Sequence, residues 1–555
     1  MLTFIKNGAG IFKKKQEDIL SAAFIIAFSV ALSRILGLVR YRLLASHFGY
    51  DIKQLDSFIA ASALPDAIFE VMIFGAIALA FIPVFSQYMS RDKLQRAWAL
   101  SSTMITLGLV IFAVFTTIII LLANFIAPII APGVVAKEPT TQFLIANLLR
   151  IMIFAQLFFV ISIFLTGILQ SFQRFLVPAI ASIFYNLGII AAIIFLTPYF
   201  GIYAPAIGMV IGAFLHLLIQ LPLALSLGFR FHFSFDFKNK DVMETFHLMW
   251  PRSIVLALIR LSDLINIAIA SVAAFGSIVA FNFAQTLQLV PISLFAAAIA
   301  QAALPSLSIE FNSRRYDQFK KLFTQSFNQI NFLIFPSAAI IAILRIPLVR
   351  LVFGAKEFPW DITVLTGRVL IAFSIGIAAQ AISLLVTRSF YAVKDSVTPV
   401  KVTTVTTILN IAASVILIVI LKFPLFYLAL NFSIANILNA VLLMYFLDRK
   451  VGFNKKELAI PFFKMLLISA ITAITLYVPM KLLDQLVFDT TRTFGLLLLT
   501  GTAVAAGLIV YTGLSWLFGV GEVSVFWDLA KRVASFPSKL TKPPPTSIDA
   551  QQQNP

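Results

Sequence analysis

The run AWALSSTMITLGLVIFAVFTTIIILLANFIAPIIA, residues 97–131, decides the fold. It passes from Ala97 to Ala131 without one Asp, Glu, Lys or Arg. About 20 apolar residues in an α-helix cross the roughly 30 Å hydrocarbon core of a bilayer. A transmembrane barrel would instead show alternating segments of about ten residues. Working outward, the same reading gives spans at 20–46, 56–88, 142–171, 175–199, 201–226, 242–273 and 276–310. It continues at 318–344, 362–390, 397–421, 424–447, 458–480 and 494–518, fourteen spans in all. The whole chain agrees: 555 residues are 60% hydrophobic and 12% charged, with mean hydropathy +0.98. Soluble domains are about 25% charged, so a cytosolic enzyme, a secreted scaffold and a disordered chain are excluded. The expected fold is an all-α polytopic membrane protein.

The net charge of +18 reads as loop charge rather than a nucleic-acid surface. Loops on the side holding the N-terminus carry Lys13, Lys14, Lys15, Arg91, Lys93, Arg230, Lys238, Arg314, Arg315, Arg449, Lys450 and others. The opposite loops carry fewer than half as many, among them Lys53, Lys137, Arg345 and Lys422. Basic residues collect on the cytoplasmic side, so both termini are expected there. The basic opening followed by an apolar run suits a signal peptide too, but no small-residue cleavage site follows, which favours a retained helix. With no cysteine, disulfide and thiol chemistry are absent. His47, His216, His232 and His247 show no metal-ligand spacing, and no metal or cofactor is expected. Phosphate-loop, zinc-protease and hydrolase-elbow motifs are all missing, so a transporter rather than an enzyme is expected. An ion gradient, the membrane potential or a partner would drive it.

The chain resembles itself at an offset of about 221 residues. AFIPVFSQYMSR around Pro83 matches AALPSLSIEFNSR around Pro305, APGV at Gly133 faces VFGA at Gly354, and QRFLVPAI around Pro178 faces KDSVTPVK around Pro399. Ser33 and Arg40 are spaced as Ser253 and Arg260 are. Six spans separate the copies, and an even number preserves orientation, so the repeats are parallel. The organisation expected is a segment 1–19, an N-terminal lobe 20–228, a linker 229–241, a C-terminal lobe 242–450, two extra helices 451–518, and a tail 519–555 that is amphipathic and then disordered. The lobes would flank a central cavity.

A charge within the hydrocarbon region is unfavourable by about 2.5–3.5 kcal/mol on insertion scales, so such residues face a cavity or each other. Arg34 and Arg40, in SRILGLVRYR with Ser33, suit a pyrophosphate or carboxylate, because guanidinium binds such oxygens bidentately. The other reading is that Arg40 and Arg42 mark a membrane interface and Arg34 pairs with a carboxylate. Asp66 and Glu70, one turn apart after Pro65, suit a coupling cation or proton, or else neutralise Arg34 and Arg40. Asp56 opens its helix as a cap. Arg260 and Asp263 read as a local ion pair, and His216 as a packed, hydrogen-bonded residue.

SRILGLVRYRLLASHFG, Asp56-Ser57-Phe58, Leu64-Pro65 and Ala80-Phe81-Ile82-Pro83 resemble the start of the MurJ/MviN family of lipid II flippases. Leu304-Pro305-Ser306-Leu307, Asn186, and Phe390-Tyr391 through Lys401 extend the resemblance over nearly the whole chain. It implies the two-lobed fold of the multidrug/oligosaccharidyl-lipid/polysaccharide exporter superfamily and a place in the bacterial inner membrane. It also implies flipping of an undecaprenyl-pyrophosphate-linked peptidoglycan precursor, with sodium, proton or chloride as coupling ion and membrane lipids as surroundings. The family's first-helix serine and arginines fall on Ser33, Arg34 and Arg40, and its acidic residue opening the second helix on Asp56. Two patterns depart from the family. Phe69, Glu70 and Phe74 stand where members place basic residues and a later glutamate, and Gln285 and Thr286 replace an Asp-Arg pair. The alternatives are an exporter of another lipid-linked oligosaccharide, a cation-coupled exporter, a membrane scaffold and a membrane glycosyltransferase.

Overall fold

The computed structural model describes residues 19–72, 81–90, 93–236, 240–354, 357–486 and 493–524. The opening segment 1–18, Phe74, most of the 237–241 part of the linker and the tail beyond 524 lie outside the described residues or their described side chains. Among the described residues no strand occurs. The helices in chain order are α1 (Ile19–Phe48), α2 (Ile52–Met72), α3 (Ile82–Ser90), α4 (Leu94–Ile130), α5 (Pro132–Lys137), α6 (Thr140–Met152) and α7 (Ala155–Ser171). Then come α8 (Leu176–Phe200), α9 (Tyr203–Leu218), α10 (Leu221–Ser226), α11 (Lys240–Ala273), α12 (Ser277–Pro291) and α13 (Ala297–Asn312). The chain ends with α14 (Tyr316–Ile343), α15 (Arg345–Phe353), α16 (Trp360–Ser374), α17 (Ile377–Ala392), α18 (Val397–Ser414), α19 (Phe426–Val451), α20 (Lys455–Leu486) and α21 (Thr493–Leu517).

Ten of these stretches are long and apolar enough to cross a membrane, and the pair α16–α17, bent by 46°, makes an eleventh. Three more helices, α1, α2 and α11, overlap expected spans, of which the second runs on through 73–80 outside the described residues, and they carry six charges within those spans: Arg34 and Arg40, Asp66 and Glu70, Arg260 and Asp263. Local breaks follow from backbone chemistry. Between α6 and α7 the amides of Ile153 and Phe154 turn back on Leu149 and Ile151. A π-turn, Ile292–Ala296, follows Pro291, since proline removes a ladder amide and crowds the preceding turn.

The described chain packs into two compact units. Among the described residues, the first takes 19–290, 344–380 and 395–443. One part of its interior is aromatic: Phe85 lies 5.6 Å from Trp98, which stacks on Phe172 at 5.7 Å. The start of the linker is stitched to α4, where Thr103 donates to the Ser234 hydroxyl at 2.9 Å. Among the described residues, the second unit takes 291–343, 381–394 and 444–524. Within it α14 packs on α20 through Phe335 against Phe462 (5.1 Å) and on the connection before α20 through Phe323 against Phe453 (4.6 Å).

Candidate functional site

The turn joining α11 to α12 is clasped from both sides, all within the first unit. Its Gly276 has φ +82°, a left-handed conformation open to glycine at no steric cost. Asp56 is fully buried, and its carboxylate accepts from the amides of Gly276 at 2.6 Å and Val279 at 2.9 Å. It therefore satisfies orphan donors at the start of α12 and stands at the positive end of that helix dipole. The sequence pointed to Asp56 as a cap of its own helix or a substrate contact. The structure corrects the first: Asp51 serves α2, accepting from the Gln54 amide at 3.4 Å, and both Asp56 oxygens are committed to α12.

At the other side of the turn, Lys137 on α5 donates to the carbonyl of Val272 at 3.0 Å, at the negative end of α11. The Gly133 amide donates to the Ser271 hydroxyl at 2.9 Å. A Cβ at Gly133 would lie 2.3 Å from the Ser271 carbonyl oxygen, so only glycine permits this approach. The ammonium groups of Lys53 and Lys137 stand 5.2 and 5.8 Å from the Phe275 ring, and Lys53 also pairs with Glu138. That hydrogen bond holds the Glu138 carboxyl below its usual range and raises the Lys53 ammonium. Burial lowers Lys137. The repeat reproduces the arrangement with other chemistry. Around Gly354, Arg42 donates to the Leu351 carbonyl at 2.5 Å, and a Cβ at Gly49 would lie 2.9 Å from the Glu357 carbonyl oxygen.

Nearer mid-helix lie the charges. Arg40 and Asp66 line one pocket with Tyr41, Ser62 and Met209, whose free volume of about 10 Å³ suits a single water. The Arg40 guanidinium stands 4.9 Å from the Tyr41 ring centre. Glu70 is held by Arg260, Oε2 to Nε at 2.5 Å, and the same guanidinium bonds Asp263 at 2.9 Å. The expectation that Arg34 or Arg40 neutralises Glu70 is thus corrected: α11 supplies the arginine. Gln285 hydrogen bonds Asp263, whereas Thr286 turns back on the Asn282 carbonyl at 2.8 Å. Phe69 packs at 4.0 Å on Phe159. Arg34 is exposed, with no ion pair among the described residues. Ser33 faces α8, where Asn186 donates to its hydroxyl at 3.1 Å.

His216 is buried with Ser162, whose hydroxyl lies 2.5 Å from Nδ1, while Gln220 donates to Ser162 at 2.8 Å and accepts from Thr166 at 2.8 Å. Sequence reasoning missed the role of Lys137, Ser271 and Phe275. Gly133 was the available signal, read as a marker of homology rather than as a seat for a neighbouring helix.

The model of the family described as lipid II flippase MurJ matches residues 44–499. A probable lipid II flippase MurJ of Bdellovibrio bacteriovorus is 28% identical, covering 94% of this chain and 98% of the relative. A lipid II flippase MurJ of Burkholderia cenocepacia is 26% identical over 67% and 73%. Among solved structures, a lipid II flippase MurJ in an inward closed conformation superposes with TM-score 0.74 at 24% identity, covering 89% of this chain and 98% of that one. An inward-facing MATE-family transporter of the MOP superfamily gives 0.64 at 11% identity, over 76% and 94%. These likenesses establish the fold.

Proposed function

The chain belongs to the lipid II flippase MurJ family, and on that premise we propose that it carries lipid II across the cytoplasmic membrane by alternating access. The observation that carries this reading is the family match across residues 44–499. The cargo is an undecaprenyl-pyrophosphate-linked precursor moving from the inner to the outer leaflet. The helices then make fourteen spans in two parallel six-helix lobes with two appended, and both termini lie in the cytoplasm. On this reading the clasped α11–α12 turn seals the outer side. Arg34, exposed and without a carboxylate partner among the described residues, takes the pyrophosphate first. Arg40 closes on it from two turns further along α1, while Ser33 fixes the register of α1 on Asn186. Asp56 acts on transport through the clasp rather than by touching cargo. The driving force is an ion gradient or the membrane potential, and Asp66, lining the Arg40 pocket, is the carboxylate for a coupling sodium or proton.

Rescue of cells depleted of their own lipid II flippase tests the function. The parent chain restores growth, Arg34→Ala or Arg40→Ala abolishes rescue at equal expression, and lysine restores it only in part because the bidentate fork is lost. Failure of the parent to rescue removes the reading. Full rescue by the double alanine variant removes the two arginines from it. Cysteines placed at Lys137 and Asp236 test orientation, with only position 137 reacting with an impermeant reagent from outside.

A further inference from the structure

We propose that Glu70, Arg260 and Asp263 form a seat for a primary ammonium group on the headgroup of the transported lipid. The inference rests on the flippase reading above and adds a determinant of which headgroup is taken. Glu70 and Asp263 share one guanidinium, so the triad carries one negative charge in excess. Its side chains are 40%, 34% and 33% exposed, in the order Glu70, Arg260, Asp263. They sit on helices read as spanning the membrane, where an exposed charge opens onto water rather than hydrocarbon.

An ionised carboxylate offers about four lone-pair sites. Arg260 donates to Asp263 and pairs with Glu70, and Gln285 bonds Asp263, which leaves acceptors for the three N–H donors of an ammonium. The opposite imbalance lies on α1, where Arg34 is exposed and has no ion pair among the described residues. Arg34 and Arg40 are separated by about 9 Å of helix rise. The charge is therefore split between helices: guanidinium in excess on α1, carboxylate in excess between α2 and α11. A headgroup with a pyrophosphate and a free amine complements it. A wholly anionic headgroup meets repulsion at Glu70 and Asp263.

The test uses the purified full chain in proteoliposomes with two probes: a polyprenyl-pyrophosphate lipid whose headgroup bears a lysine-type amine, and the same lipid N-acetylated. Binding of each in detergent is measured alongside flipping. The parent takes the amine form at least about tenfold better in both measurements. Glu70→Gln and Asp263→Asn each bring that ratio near one, and Glu70→Asp, which keeps the charge, retains most of it. Equal handling of the two probes by the parent overturns the seat. A ratio of one with flipping that rises with sodium also overturns it, assigning the triad to an inorganic cation. Binding that discriminates tenfold without flipping of either probe upholds the seat and overturns the flippase reading instead.

Discussion

Replacing Asp56 by Asn isolates what the clasp does for the conformational equilibrium. The side chain keeps its size, but one of two acceptor oxygens becomes an NH2 group facing a backbone amide. Gly276 and Val279 both donate to the native carboxylate, at 2.6 and 2.9 Å, so one contact turns from donor–acceptor to donor–donor. A hydrogen bond to a charged group contributes about 1.5–3 kcal/mol, and the lost charge at a buried helix N-terminus about 0.3–2 kcal/mol more. The closed clasp should weaken by about 2–4 kcal/mol. While the open form is the minor one, its population rises by the Boltzmann factor, about 30- to 900-fold.

Position 62 reports this, because Ser62 lines the Arg40–Asp66 pocket about 9 Å along α2 from Asp56. The chain has no native cysteine, so Ser62→Cys gives one label site. An impermeant maleimide applied from the side of the α11–α12 turn should react at least about 30-fold faster with the Asp56→Asn, Ser62→Cys protein than with Ser62→Cys alone. Rates equal within twofold, in a protein that remains folded by thermal unfolding, would refute the argument that this carboxylate holds the turn shut.

Three further outcomes follow from neighbouring contacts. Gly133→Ala puts a methyl 2.3 Å from the Ser271 carbonyl oxygen and the Val272 Cα, both backbone atoms, and should lower stability by about 1–3 kcal/mol. Ser271→Ala removes one hydrogen bond and should lower it by only about 0.5–1.5 kcal/mol; thermal unfolding of the purified variants ranks the two. The Lys53–Glu138 pair sets a pH window: Glu138 sits below its unfolded value, so its contribution is complete above the ordinary carboxylate range and fades as pH falls through the lowered value. Lys53 is raised, so its contribution is present below the ordinary lysine value and fades only as pH rises through the raised one. Thermal midpoints of the parent and Glu138→Gln should therefore differ by a constant amount at neutral pH and converge in acid. His216→Ala removes the ring contact of the Ser162 hydroxyl, while Gln220 still donates to that hydroxyl, so stability should fall by about 0.5–1.5 kcal/mol. Ser162→Ala in that background should add less than it does alone, a non-additivity that a double-mutant cycle measures.

What was legible in the sequence divides along the range of the forces involved. Bilayer thickness acts on every run alone, so the apolar stretch 97–131 becomes α4, Leu94–Ile130, almost residue for residue. The break at Ile153–Phe154 was not legible, because the run 142–171 reads as one predominantly apolar span and hydrophobicity does not report which amide bonds which carbonyl. Charges inside spans were legible as unfavourable, which is why Arg34, Arg40, Asp66, Glu70, Arg260 and Asp263 were singled out. Their partners were not. A carboxylate takes whichever cation the packing brings within about 4 Å, and Glu70 takes Arg260 from α11 rather than an arginine of α1. Asp56 was legible in kind, an acid suited to a helix start, but the helix it serves begins at Ser277. The repeat sharpens the point. Arg40 and Arg260 are equivalent positions, and both attend the acidic face of α2, Arg40 sharing a pocket with Asp66 and Arg260 an ion pair with Glu70. The matching places on α12, near Thr286 and Val290, carry no acid. Arg260 also pairs with Asp263 on its own helix, where the matching place on α1 is Leu43, so two acids gather on Arg260 while Arg40 shares its pocket with one.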